Sequence, residues 1–253
     1  MSRDNEVFSE LSSYPSIGRA GWLVPQRMDA PELLDMGEGS AADMQASLDD
    51  LWRINRYLGG LDAITRHLYP RLRALNAPAT IADIGTGSAD IPAAVIRWAQ
   101  TRGLPIRLIG FDLAERHLAV AQRRMQQLTA INLVQADAAH LPLKPGTMDY
   151  VISSLFVHHF APEQAVHLLR HLYTSARRGV IISDLTRGWL PLIGFKLVQP
   201  VFARSYITRY DGVVSVYRGY TPGEFAALAR AAGILNARVY RHPLWRMTLV
   251  ADK

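Results

Sequence analysis

Apolar residues in the first third of the chain recur with a helical period and change rhythm near residue 79. Ala46, Leu48, Leu51, Trp52, Ile54, Tyr57 and Leu58 follow the 3.6-residue repeat of an amphipathic helix that Gly59-Gly60 ends. Leu61, Ile64, Leu68 and Leu72 predict a second helix. From 79 onward short apolar runs alternate with amphipathic stretches. They place strands near 79–84, 106–112, 131–136, 147–153 and 178–184, with helices near 90–101, 114–128 and 162–175. Strands that are apolar throughout, each followed by a helix, predict an α/β fold with a doubly wound, mostly parallel sheet. The alternation breaks after 184. Residues 188–219 are rich in Trp, Leu, Phe, Tyr and Val without a strand period, and read as an insert, a lid or a substrate wall. Thr221-Pro222-Gly223-Glu224 then opens a helix ending near Ala232-Gly233, with Thr221 at the cap and Pro222 at the first helical position. The last two runs, 235–240 and 245–251, are too close for a crossover and form an antiparallel hairpin, which completes seven strands.

The first strand carries the most informative chemistry. Ile81-Ala82-Asp83-Ile84-Gly85-Thr86-Gly87-Ser88-Ala89-Asp90 runs from an apolar strand through a glycine-bearing turn into a helix. Glycine at 85 and 87 permits a tight turn and close approach of a ligand, and the following helix offers unpaired N–H groups. Two further acids, Asp112 and Asp137, close the second and third strands. In an open α/β sheet ligands bind at these carboxyl ends, near the point where strand order reverses. A carboxylate there can accept both hydroxyls of a ribose or an amino group of a base. Each could also cap a helix, since aspartate is a favoured cap, but three in register favour a ligand.

Charge and cysteine usage narrow the possibilities. Net charge is +6, almost all of the basic residues are arginine, and lysine occurs only at 144, 196 and 253. The arginines are scattered and form no aromatic-interleaved stripe of the nucleic-acid-binding kind. There is no cysteine, which removes disulfides, thiolate catalysis and thiolate metal sites and fits a reducing, cytoplasmic compartment. The polar N-terminus does not read as a signal peptide, and the longest apolar stretch, 189–201, falls short of the ~20 residues a membrane span needs. His167 and His171 stand one helical turn apart, but no third ligand motif accompanies them, and no metal is expected. A monomer and a homodimer are both compatible with this length.

The order of elements and these motifs resemble the class I S-adenosylmethionine-dependent methyltransferases, over about 79–253 with the motif-bearing part ending near 187. The resemblance divides the chain into an N-terminal helical extension, 1–78, and a methyltransferase domain, 79–253, holding the 188–219 insert. It implies that the first acid and glycine loop approach the methionine part of S-adenosylmethionine, that the second acid holds the ribose and that the third holds the adenine. The cofactor set expected is Asp83, Gly85, Thr86, Gly87, Asp112, Leu113, Asp137, Ala138 and Ser153, with product S-adenosylhomocysteine. Arg56, at the end of the N-terminal helix, could hold the methionine carboxylate bidentately or be an exposed helix-end arginine. The third glycine of the family is Ala89 here. A dinucleotide-binding dehydrogenase shares the glycine turn but calls for Gly-x-Gly-x-x-Gly, whereas position 90 is Asp.

The fourth strand leads into Ser153-Ser154-Leu155-Phe156-Val157-His158-His159. Nucleic-acid amino-methyltransferases carry an Asn/Asp-Pro-Pro-aromatic motif at this place, and its absence argues against base methylation. The double histidine resembles small-molecule methyltransferases acting on quinol, phenol and polyketide-type acceptors. Either His159, the first candidate, or His158 could deprotonate a hydroxyl as the methyl group is transferred, or could pack in the core. Phe156, Asp184, Arg187, Trp189, Tyr206 and Tyr210 are the candidate substrate-binding residues. Asp184 could orient a hydroxyl or pair with Arg187, and the aromatics could form a cleft wall, a dimer interface or ordinary core. The expected activity is methyl transfer to a small-molecule hydroxyl, with carbon and nitrogen acceptors open. An RNA methyltransferase and a catalytically inactive binding subunit are the alternatives.

Overall fold

The computed structural model describes residues 16, 17, 22, 24–75 and 77–253. They form two compact units, Gly59–Asp184 with Pro222–Lys253, and Met1–Leu58 with Leu185–Thr221. In the second of these a two-residue antiparallel pair joins Ser16–Ile17 to Arg27–Met28, and helix α1 spans Ala41–Tyr57. Its first turn is closed by a capping box. Asp43 N donates to Ser40 Oγ, and Ser40 N donates to the Asp43 carboxylate.

Helix α2 (Gly60–Ala74) belongs with the sheet, although its period groups it with the N-terminal extension in the sequence. Its Ile64, Leu68 and Leu72 join Val95 and Ile96 of α3 (Asp90–Gln100) and Ile81 of β1 (Ala79–Ile84) in one buried cluster. Tyr69 of α2 stacks on Trp98 of α3 with centroids 3.8 Å apart. The remaining elements of the unit are β2 (Ile106–Asp112), α4 (Glu115–Arg124), β3 (Ile131–Gln135), β4 (Met148–Ser154), α5 (Pro162–Ser175) and β5 (Ala176–Leu185). The seven-stranded sheet is completed by β6 (Arg238–His242) and β7 (Arg246–Asp252).

The strand order is β3-β2-β1-β4-β5-β7-β6. Strands β1 to β5 pair in parallel, and β6 and β7 close the sheet as an antiparallel hairpin. Central strands buried on both faces explain the near-continuous apolar runs, Ile81–Ile84 interrupted only by Asp83, and Tyr150–Ile152. Strand order reverses between β1 and β4, so the carboxyl ends of these two strands flank the binding crevice of the fold.

Where the sequence predicts an irregular insert, the structure has two helices, α6 (Trp189–Phe202) and α7 (Tyr206–Arg218). Helix α8 (Pro222–Ala231) follows. The tip of the Phe195 ring of α6 lies against Gly212 of α7, where any Cβ would collide with it. Leu192 and Phe195 pack with Ala30, Val213, Val216 and Tyr217. Buried polar contacts tie α1 to α7. Asp50 accepts from Ser205 N at 2.7 Å, and Thr208 Oγ1 donates to Ser47 Oγ at 3.0 Å. Among the described residues no helix is long and apolar enough to cross a membrane.

Candidate active site

The turn after β1 is built by three residues that hold one another. Asp83 is fully buried and accepts a hydrogen bond from Thr86 Oγ1 at 2.8 Å. The Thr86 side chain lies against Gly110 of β2, where a Cβ would stand 2.8 Å from its hydroxyl. Gly85 and Gly87 have φ of +71° and +54°, in the left-handed region. A Cβ on Gly85 would run into the ring of Phe156, whereas one on Gly87 would meet nothing within 4 Å. The turn therefore presents bare backbone on an open side, the arrangement a close-fitting ligand needs.

Ala89 closes the turn as the N-cap of α3, with φ +57° and no exposed surface. The missing third glycine is thus a position with a left-handed conformation as well as little room. An L-residue pays about 1–2 kcal/mol there, so Ala89→Gly is expected to raise unfolding free energy by about 1 kcal/mol in urea titrations.

Burial pushes the Asp83 carboxyl up to about 7. The Thr86 hydroxyl draws it back, and the neighbouring Asp112 charge adds to the rise. With the folded value above the unfolded one, the native state holds the extra proton, and stability falls as pH rises from about 4 to about 7. Asp83→Asn removes that slope and keeps an acceptor for Thr86. Its stability relative to the parent should improve by about 2–3 kcal/mol between pH 5 and pH 8, read from urea titrations at both values.

Asp112, at the end of β2, accepts from Gly87 N at 2.8 Å and Ala114 N at 3.0 Å, and His117 Nδ1 lies 3.3 Å away. One carboxylate thus ties the β1 turn to the β2 end. Leu113 beside it is exposed. Asp137, after β3, accepts from Ala139 N at 2.9 Å and caps the short turn Ala138–His140; that N–H holds its carboxyl below the ordinary value. Ser153 is fully buried and donates from Oγ to Ile84 O at 2.7 Å, so its side chain holds β1 to β4 and only its backbone can face a ligand.

Beyond β4 the chain turns sharply. Leu155 has φ +54°, and its N–H donates to Ser183 O of β5. The short turn Val157–His159 then places His158 against Asp184 at the end of β5. His158 Nδ1 and Asp184 Oδ1 are 2.7 Å apart, and His158 N donates to Asp184 Oδ2 at 3.0 Å, with both residues buried. Arg246, at the start of β7, is also buried and faces Asp184 electrostatically. Burial lowers its guanidinium to about 10 while the Asp184 charge supports it, so it is cationic at neutral pH. His159 is half-buried, its ring 4.3 Å from that of His158 and 6.0 Å from Phe156. The sequence ranks His159 ahead of His158; the geometry gives the oriented imidazole to His158.

The sheet unit thus brings together Asp83, Gly85, Thr86, Gly87, Asp112, Ser153, Phe156, His158, His159 and Asp184. Leu113, Asp137 and Ala138 lie in the same unit, whereas Arg56, Arg187, Trp189, Tyr206 and Tyr210 belong to the helical unit. Arg187 donates to Gly219 O at 2.9 Å and to Pro25 O. Trp189 is exposed and meets Tyr217 edge-on, Tyr206 is exposed, and Tyr210 packs against the apolar cluster of α6 and α7. Arg56 is exposed, its guanidinium 6.0 Å from the Trp52 ring and 5.6 Å from that of Tyr57. Two site residues escape the sequence reading. Arg246 looks like an ordinary strand-start arginine. Ser154, whose buried hydroxyl has no partner among the described residues, stands at the end of β4 beside the better-marked histidines. A charged residue abutting the apolar run 247–251 was the available signal for Arg246.

Residues 81–179 match the family model described as a methyltransferase domain. With the strand order, the strand-end acids and the glycine turn, this places a methyltransferase domain in the sheet-bearing unit, on a fold shared with methyltransferases that use S-adenosylmethionine. The donor set suits that group: bare backbone at Gly85 and Gly87, and carboxylates at two further strand ends. Among curated relatives, a malonyl-[acyl-carrier protein] O-methyltransferase of Marinomonas sp. (strain MWYL1) is 32% identical over 121 residues, 47% of this chain and 43% of that protein. A demethylmenaquinone methyltransferase of Bacillus licheniformis is 25% identical over 187 residues, 68% of this chain and 77% of that one. The chain spans about half the length of the first curated relatives it matches, 43% and 56%. In fold it is similar to a SAM-dependent methyltransferase of Aquifex aeolicus, with TM-score 0.58, 16% identity and coverage of 85% of this chain and 99% of that one. The CurJ carbon methyltransferase gives TM-score 0.65 at 10% identity, over 87% of this chain and 62% of that one.

Proposed function

We propose that this protein transfers a methyl group from S-adenosylmethionine to a hydroxyl oxygen of a small-molecule acceptor of phenolic, quinol or polyketide-like character. The observation that carries this reading is the buried His158–Asp184 pair at the ends of strands beside the switch point. An Nδ1 proton shared with Asp184 fixes the tautomer in which Nε2 is basic, which suits it to take a hydroxyl proton. Arg246 supplies the counter-charge to Asp184, so the carboxylate orients the imidazole without becoming an isolated buried anion. The relatives' names, an O-methyltransferase and a demethylmenaquinone methyltransferase, fit an oxygen nucleophile and a quinol-like ring.

Bound S-adenosylmethionine supplies an electrophilic methyl group on a sulfonium, whose departure leaves a neutral thioether. Around it, the Gly85–Gly87 backbone would take the methionine portion and the Asp112 carboxylate the ribose hydroxyls. Asp137, with Ala138 and Leu113, would border the adenine. Phe156, packed over Gly85, covers one side of the turn, and His158 would take the hydroxyl proton of the acceptor as its oxygen receives the methyl group and the thioether leaves. Asp184 acts through His158 and is a positioning residue. Calorimetry with S-adenosylhomocysteine tests the cofactor half. Incubation with S-adenosylmethionine and a panel of phenols, quinols and hydroxylated polyketides tests the rest by mass, one methylene gained per turnover. Binding without turnover on any hydroxyl acceptor would refute the reading.

A further inference from the structure

Helix α6 is apolar on both of its faces. Its inner face, through Leu192 and Phe195, is already committed to the apolar cluster with Ala30, Val213 and Tyr217. Among the described residues its outer face is exposed. Leu190 is 66% exposed, Ile193 55%, Leu197 75% and Val201 60%, with Trp189 at one end. At a helical pitch these positions fall within an arc of roughly 120°. A helix hydrophobic all round is ordinarily buried, and a contiguous exposed apolar stripe marks an interaction surface. The stripe extends at its far end, where the exposed Tyr57 ring lies 6.4 Å from that of Phe202.

The charges around it select the partner. From Thr186 to Tyr210 there is no Asp or Glu, while Lys196, Arg204 and Arg209 lie on or just after the helix. Arg204 and Arg209 are exposed, and Arg56 stands exposed beside Tyr57. A second copy docking through the same face would bring these cations together, which disfavours a twofold dimer. Apolar and tryptophan side chains with flanking arginine and lysine and no acids are the pattern of a helix lying in a membrane interface. Fourteen residues rise only about 21 Å, short of the ~30 Å hydrocarbon core, so the helix can lie in the surface but not cross it.

We propose that α6 docks the protein onto anionic phospholipid bilayers, with Leu190, Ile193, Leu197 and Val201 inserted at the headgroup boundary and Lys196, Arg204, Arg209 and Arg56 facing the lipid phosphates. The surface is independent of which acceptor is methylated. Flotation with phosphatidylcholine vesicles, with and without phosphatidylglycerol, tests it on the full chain. The unaltered protein should float with the anionic vesicles, less so with neutral ones and less as salt rises. Ile193→Asp/Leu197→Asp should weaken partitioning roughly a hundredfold with S-adenosylhomocysteine affinity unchanged as the sign of an intact fold. Should that variant not fold, Leu197→Gln gives the same direction with a smaller loss. Lys196→Glu/Arg204→Glu should abolish the preference for anionic lipid. Folded protein that stays free of both vesicle types would overturn the proposal. So would a solution dimer, seen by light scattering, that Leu197→Asp splits.

Discussion

His158→Ala is expected to lower kcat on a hydroxyl acceptor by roughly 10²–10⁴-fold, the usual contribution of a positioned base, while the dissociation constant for S-adenosylhomocysteine stays within about twofold. The asymmetry follows from the placement of the residue. His158 follows β4 and bonds to β5, whereas the glycine turn and Asp112 stand at β1 and β2. Asp184→Asn separates orientation from basicity, since the amide retains the shape but no longer favours the tautomer with basic Nε2. A fall in kcat with little change in acceptor KM is expected, smaller than that of His158→Ala. The same change also removes the carboxylate charge that supports the buried Arg246. Rates are therefore to be compared at temperatures where circular dichroism shows both variants folded. If His158→Ala turns over at the parental rate, the base is retired and catalysis rests on proximity and exclusion of water alone.

Much of this architecture is legible in the sequence because parallel strands announce themselves. Expected strands 79–84 and 106–112 coincide with β1 and β2, and 162–175 coincides with α5, whose start Pro162 marks. The glycine turn and its strand-end acids were equally plain, since a local motif needs no knowledge of distant contacts. What stayed hidden depends on contacts between segments remote in sequence. His158 and Asp184 are 26 residues apart and meet because β4 and β5 are parallel neighbours with aligned ends. Arg246 reaches the pair only because β7 lies next to β5 in the sheet. The insert eluded a helical reading for a different reason. With apolar residues on both faces, α6 shows no contrast at a 3.6-residue period, and Pro191 and Pro200 read as breakers. That lack of contrast is also what leaves its outer face apolar in water. The final hairpin was found, but its turn is made by Leu244 and Trp245 at positive φ, a conformation their residue types do not advertise.

Gly85→Val should reduce S-adenosylhomocysteine affinity by at least a hundredfold, and Gly87→Ala should separate backbone strain from ligand contact. At Gly85 two penalties coincide. A β-branched residue does not adopt φ +71°, and its Cβ would collide with the Phe156 ring, so the turn has to leave the place it occupies under Asp112. At Gly87 the backbone is also left-handed, but a Cβ meets nothing within 4 Å. Gly87→Ala should therefore lower unfolding free energy by only about 1 kcal/mol, with affinity for the cofactor product falling by a larger factor, because the added methyl group occupies space that ligand atoms need. Asp112→Ala is the companion measurement. It removes the acceptor for Gly87 N and Ala114 N together with the carboxylate offered to the ribose, and a charged acceptor of this kind contributes about 1.5–3 kcal/mol, or roughly ten- to a hundredfold in affinity. Titration calorimetry on the three variants reads all of these directly. If Gly87→Ala weakens binding no more than it weakens folding, and Asp112→Ala binds as the parent does, the ligand lies elsewhere on the sheet. The open side of the turn would then have to be explained without a cofactor, which the left-handed, uncovered backbone at Gly87 makes hard to do.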